Sequence, residues 1–264
     1  MTITTAFNGM TSANDPSAPN LEHEHHEEAI RTRLQEKRSH SYLGDAVLGG
    51  IDGCVTTFAV VSGAVGGGFS SLVILVLGFA NLIADGFSMA VSNYQNIKSE
   101  REQLDRARQM EAKHIRHVPD GEREEVRQIF AQKGFEGDVL DNIVAVITSD
   151  ERLWIDTMLT EELGLRIESP HPLHAAMATF GAFLVVGLVP LLPFVLPIAS
   201  DDAFPASIAG AAVAFFAVGW GKGLVLGHRA IRSGLETLLT GGAAAFLAYG
   251  IGAWLRIVFG TGVG

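Results

Sequence analysis

Two stretches between residues 45 and 93, and three more between 174 and 259, are apolar for about twenty residues each. A helix needs roughly 20 apolar residues to cross the hydrocarbon core of a bilayer. Inside that core every backbone N–H and C=O must find its partner within the fold, which leaves helices or closed barrels. Runs this long and this continuous read as helices. The chain is therefore expected to be an all-α membrane protein with five transmembrane helices, near 45–65, 71–93, 174–196, 206–226 and 236–259. A highly charged segment, 95–170, separates the second span from the third and reads as a helical soluble insert. The organisation expected is a polar tail (1–41), a two-span hairpin (42–94), the insert (95–170) and three further spans (171–264).

The tail opens "MTITTAFNGMTSANDPSAPN", with neither the basic nor the apolar region of a signal peptide. Its composition reads as disordered. Basic residues set the expected orientation. Arg31, Arg33, Lys37 and Arg38 precede the first span, and Lys222, His228, Arg229 and Arg232 join the fourth to the fifth. The two opposite turns, "GGGFS" and "SDDAFPAS", contain no Lys or Arg. Positive-inside counting then puts the N-terminus and the insert in the cytosol and the C-terminus outside. Small residues four apart (Gly49 and Gly53; Gly219, Gly223 and Gly227) mark places where helices can approach closely. Pro190, Pro193 and Pro197 should kink or end the outer half of the third span.

Composition removes several classes of function. A net charge of −10 lacks the basic footprint of a nucleic-acid binder. Cys54, the single cysteine, excludes an intramolecular disulfide framework and cysteine-based zinc or iron–sulfur sites. There is no Gly-rich phosphate loop with its lysine and no nucleophile elbow, so neither ATP-driven pumping nor an enzyme is expected.

The spans nevertheless carry charge. "LGGIDGCVTTFAVVSG" places Asp52 a third of the way into the first span, with Thr56 and Thr57 a turn later. "NLIADGFSMAVSNY" places Asn81, Asp85 and Met89 four apart, on one face of the second. A carboxylate in hydrocarbon costs about 3 kcal/mol or more at mid-helix. Two of them in adjacent helices are best explained by a shared polar pathway. Carboxylate oxygens suit protons and hard cations, whereas a thioether suits softer transition ions. Together they point to a divalent ion such as Fe²⁺ or Mn²⁺, and protonatable carboxylates can couple its movement to protons. Met89 taken alone also fits packing, and Asn81 also fits an interhelical hydrogen bond.

In the insert, acids recur at helical spacing. Glu111 and His114 are three apart, as are Glu122 and Glu125, and Glu161 and Glu162 follow Met158 by one turn. Such pairs project two ligands from one helix face, but the same spacing also describes an ordinary solvated, ion-paired surface. Val139, Ile143, Val146 and Ile147 are expected on the apolar side of one insert helix. The tail segment "EHEHHEE" adds His23, His25 and His26 as a weak accessory metal binder.

Taken in order, "DGCVTTFAVVSG", "NLIADGFSMAVSNY", an acidic insert ending "TEELGL", a proline-broken third span and "RSGLETLLTGGAAAFLAYGIG" resemble the vacuolar iron transporter family over about residues 25–260. The resemblance implies a homodimer with its pathway between the two first spans. It implies proton-coupled export of Fe²⁺ or Mn²⁺ from the cytosol, with the insert collecting ions. By position it carries over Asp52, Met89, Glu111, Glu122, Glu125 and Glu162. Three positions depart from the family pattern: Asn81 stands where a glutamate is expected, His114 where another is, and Leu159 at a further ligand position. Asp85, one turn on, is the candidate to replace the missing second-span glutamate.

The reading is a proton-coupled divalent-metal transporter in a bacterial inner membrane. Its partners are metal ions, protons, lipid and a second copy, and no cofactor is tightly bound. Glu111, His114, Glu122, Glu125, Met158, Glu161 and Glu162 are the candidate metal ligands. Asp52, Thr56, Asn81, Asp85 and Met89 line the pathway. The rival is a membrane-anchored di-iron or ferroxidase-like protein, suggested by Glu111-x-x-His114, although a second such element is missing.

Overall fold

The computed structural model describes residues 26–35, 41–225, 227 and 229–260. The described residues are almost entirely helical and contain no strand. The first described unit is a short helix, α1 (Glu27–Gln35), within the stretch expected to be disordered. Glu27 and Glu28 in its first turn complement the partial positive charge of a helix N-terminus. His26 is exposed just before α1, while His23, His25, Lys37, Arg38 and His228 lie outside the described residues.

The second unit holds five helices long and apolar enough to cross a membrane: Leu43–Gly66, Ser71–His117, Pro172–Val195, Asp201–Val225 and Ala230–Phe259. The first is α2 (Leu43–Gly66) and the second opens α3 (Ser71–His117). α3 continues for 47 residues without a break, because no proline interrupts it before Pro119. Val118, forced off helical geometry by the proline that follows, sits at φ −136° and ends it. Pro119 then starts α4 (Pro119–Gln132) at a position where its missing N–H is harmless.

Gly134, at φ +91°, reverses the chain into α5 (Gly137–Thr148). The Asp150 side chain accepts from the N–H groups of Arg152 and Leu153 and caps α6 (Glu151–Thr157). α6 runs into a single π turn, Met158–Glu162. These helices close on one core: Ile115, Val126, Leu140, Val144, Ile147, Trp154 and Met158. One expectation is corrected. Of the expected apolar side, Ile147 is buried and Ile143 packs partly on the core, but α5 buries Leu140 and Val144 in place of Val139 and Val146, which are 58% and 63% exposed. Both 139/143/146 and 140/144/147 are apolar stripes at helical spacing, so periodicity alone could not choose between them.

The third span is α7 (Pro172–Gly187), a 3₁₀ turn (Val189–Leu191) and α8 (Leu192–Val195), broken as its prolines require. The Pro190 carbonyl at the break accepts a hydrogen bond from the Ser207 hydroxyl at 2.7 Å. Ser207 lies on α9 (Ser200–Val225), which starts inside the expected "SDDAFPAS" turn, with Asp201 and Asp202 in its first turn. α10 (Ala230–Phe259) starts six residues before the expected fifth span.

Glycines set the helix crossings. A Cβ on Gly49 or Gly53 would enter the α7 backbone at Thr179 and Phe183. One on Gly187 would fall 2.7 Å from the Gly53 carbonyl. On α9, a Cβ on Gly219 would meet the Ser233 carbonyl at 2.7 Å, and one on Gly223 would meet Ala230 Cα at 2.6 Å. Gly227 meets nothing; at φ +64° it turns the chain between α9 and α10. At the insert end of the bundle, Asn93 Nδ2 donates to Asp45 Oδ1 at 2.8 Å and to Thr179 Oγ1 at 2.9 Å, tying α2, α3 and α7 together.

Candidate metal centre and intramembrane carboxylates

On α3 the residues Leu104, Ala107, Glu111 and Ile115 are all buried, spaced three or four apart. Glu111 thus occupies a core position of an amphipathic helix. Glu122 does the same on α4, four residues before Val126. These carboxylates are 2% and 5% exposed, and Oε2 of each has no hydrogen-bond partner. His114 lies beside them, its Nδ1 3.4 Å from Glu122 Oε1. One ligand atom from each of Glu111, His114 and Glu122 falls within 4.8 Å of the other two.

The electrostatics of this cluster are unfavourable without a cation. Burial pushes the Glu122 carboxyl up to about 7, and the charges of Glu125, Glu111 and Glu162 add to the effect. Glu111 is also held above the ordinary carboxylate range, first by burial and then by Glu162 and Glu125, with an imidazolium at His114 acting the other way. Burial and then Glu125 raise Glu162. Five side chains therefore share one field, and a proton or a metal ion relieves it. A divalent ion with carboxylate and imidazole ligands matches the donor set.

The remaining expected ligands divide. Met158 is fully buried in the core beside Ile115 and Val126. Leu159 packs on Leu104 and Ala107. Glu161, expected in the site, is paired instead with Lys133 at the end of α4. Adjacent residues on a helix project about 100° apart, so Glu161 and Glu162 face different neighbours. The i→i+5 bond of the π turn, from Leu163 N–H to the Met158 carbonyl at 3.1 Å, holds one residue more than an α turn.

Within the spans, Asp52 is half-buried on α2 and near enough to Asp85 on α3 to feel its charge. Asp85 lies on the exposed face of its helix. The Thr56 hydroxyl donates to the Asp52 carbonyl at 2.9 Å, which commits its proton within its own helix. Thr57, fully buried, has an unpartnered Oγ1, as does Ser62 a turn later. Asn81 is half-buried with an unpartnered Nδ2. Met89 packs against the apolar cluster of Leu82 and Phe183. Asp45, whose place at a span end reads as an interfacial residue or a helix cap, is a hydrogen-bonded member of the Asn93 tie.

These features define a polytopic helical membrane protein with a carboxylate–histidine cluster on its insert and paired carboxylates in its first two spans. The sequence profile of the VIT family matches residues 43–253, and the chain belongs to that family. Similar proteins include "Vacuolar iron transporter 1" of Eucalyptus grandis, 32% identical over 90% of this chain and 96% of the relative. The Arabidopsis thaliana protein of that name is 34% identical over 78% and 82%. "Vacuolar iron transporter" of Toxoplasma gondii is 31% identical over 84% and 77%. These are names of transporters, not enzymes, in keeping with the lack of a nucleotide loop or nucleophile elbow in the sequence.

Proposed function

We propose that this protein exports a divalent transition ion, Fe²⁺ or Mn²⁺, from the cytosol in exchange for protons. The observation that carries the reading is the Glu111–His114–Glu122 cluster, whose two buried carboxylates hold unpartnered oxygens and, at Glu122, a proton near neutral pH. Basic residues before α2 and between α9 and α10 support a cytosolic insert. The cluster, with Glu125 and Glu162 in its field, captures the ion there and releases protons as it does so. Asp85 and Met89 take the ion into the spans. Asp52 passes it on and accepts a proton in return.

The working unit is a homodimer. Asp85 is exposed on α3 beside Leu77, Ala84, Ser88 and Ser92, where a carboxylate facing lipid is costly. A second copy seated on that face removes the carboxylates from hydrocarbon and lines a pathway between the subunits. A bacterial inner membrane is the expected location.

The test is Fe²⁺ and Mn²⁺ flux into proteoliposomes under an imposed pH gradient, with Asp52→Ala and Asp85→Ala beside the wild type. Flux that follows the gradient and is lost in Asp52→Ala supports the exchanger. No flux above empty liposomes, with metal binding intact, refutes transport and leaves a membrane-anchored metal-binding protein.

A further inference from the structure

The insert has a second polar concavity. At 3.6 residues per turn, His114 projects about 60° to one side of the Glu111 position on α3 and Arg108 about 60° to the other. Arg116 follows on the Arg108 side. There α3 and α6 flank an open cleft of about 530 Å³ lined by Arg108, Arg116, Glu151, Arg152, Ile155 and Asp156. Three guanidiniums face two carboxylates, in a chain whose net charge is −10.

The pairing is incomplete. Arg116 donates through Nε and Nη2 to Glu151 Oε1, at 3.3 and 3.0 Å. Arg108 stands 3.7 Å from Asp156 Oδ1, beyond hydrogen-bond reach. Among the described residues no carboxylate pairs with the Arg152 guanidinium. Two guanidinium forks are thus left with uncommitted donors at one cleft.

We infer that this cleft binds a soluble phosphate-bearing anion. A phosphate monoester is an anion at neutral pH, and its oxygens suit the fork geometry of Arg152, which no carboxylate pairs, and of Arg108, whose ion pair with Asp156 makes no hydrogen bond. The cleft volume lies in the range of small-molecule sites and has an apolar wall at Ile155, so there is room for an organic body. A lipid headgroup is out of reach. Arg108 lies about 22 Å along the unbroken α3 from Asn93, the end of the second span, and the headgroup layer is only several Å deep.

Binding there has a consequence for metal capture. α6 leads directly into the π turn that carries Met158 and Glu162, and Ile155 packs on both apolar clusters of the insert. An anion clamped between Arg108 and Arg152 ties α6 to α3, and so sets Glu162 relative to Glu111. Anion binding at the cleft depends only on the cleft's own residues, whether or not the protein transports metal.

The test is calorimetric titration of full-length, divalent-free protein with inorganic phosphate and with AMP, using wild type, Arg108→Ala, Arg152→Ala and Arg152→Lys. Saturable binding is expected, weakened about tenfold or more in each alanine variant, since a charge-assisted pair is lost. Arg152→Lys, which keeps the charge without the fork, falls between. Unchanged elution on gel filtration and unchanged Mn²⁺ stoichiometry certify the fold of the variants. Absence of saturable binding, or equal affinity in wild type and both alanine variants, overturns the inference. Competition by phosphatidic acid in nanodiscs overturns the soluble source and assigns the cleft to a headgroup.

Discussion

Glu122→Gln should make the metal-free insert more stable at alkaline pH while weakening its hold on metal. The Glu122 carboxyl ionises at about 7 in the folded protein against 4.5 ordinarily. A raised pKa means the folded state prefers the proton. Relative stability is fully present below about pH 4.5 and is lost as pH rises through about 7. At roughly 1.4 kcal/mol per pH unit, the loss approaches 3 kcal/mol by pH 8. Glutamine keeps the shape and removes the ionisation. Its amide meets the same unpartnered environment as Oε2, which offsets part of the gain. The net stabilisation expected at pH 8 is therefore about 1–3 kcal/mol, shrinking towards zero or below at pH 5. Hydrogen exchange of α3 and α4 amides in metal-free full-length protein, between pH 5 and 8 and corrected for intrinsic rates, measures it directly. A variant no more protected than wild type at pH 8, or a difference independent of pH, would refute the account of Glu122 as a carboxylate forced into an apolar position.

Three further outcomes follow from the geometry. Glu161→Gln should leave Mn²⁺ affinity within about twofold, because Glu161 pairs with Lys133, whereas Glu162→Gln should weaken it about tenfold; titration calorimetry on both variants separates the adjacent glutamates. Asn93→Ala removes two interhelical hydrogen bonds and strips Asp45 of its donor, so thermal unfolding in detergent should report a loss of about 1–3 kcal/mol. Gly53→Leu forces a side chain into the α7 backbone at Phe183 and should cost at least about 1–3 kcal/mol, or prevent folding, whereas the same change at Gly242, which meets nothing, should be tolerated in the same assay.

Where the spans lie, where α3 ends and where the third span breaks were all legible in the sequence. Each depends on a local rule: apolar length, a proline's missing N–H, a residue forced off the α region before proline. The burial of Glu111 and Glu122 was legible in principle. Both sit at core spacing among Leu104, Ala107, Ile115 and Val126, a signal that Glu125, outside the stripe, lacks. What was not legible is everything that needs two elements to meet. Either apolar stripe of α5 would have served until α4 and α6 packed against one. The π turn at Met158–Glu162 has no local signature in "MLTEE".

By itself, then, the sequence determined a five-span helical protein with a charged insert and carboxylates in its first two spans. Hydrophobic length and the obligation to satisfy backbone groups leave no other arrangement. The tertiary structure alone decided which acids converge, that the Thr56 proton is committed to its own helix, that Asp45 joins the Asn93 tie, and that α3 and α6 form an arginine cleft. Those outcomes depend on which faces of separate helices pack together, and the sum of many small contacts that settles this is not written at any one residue.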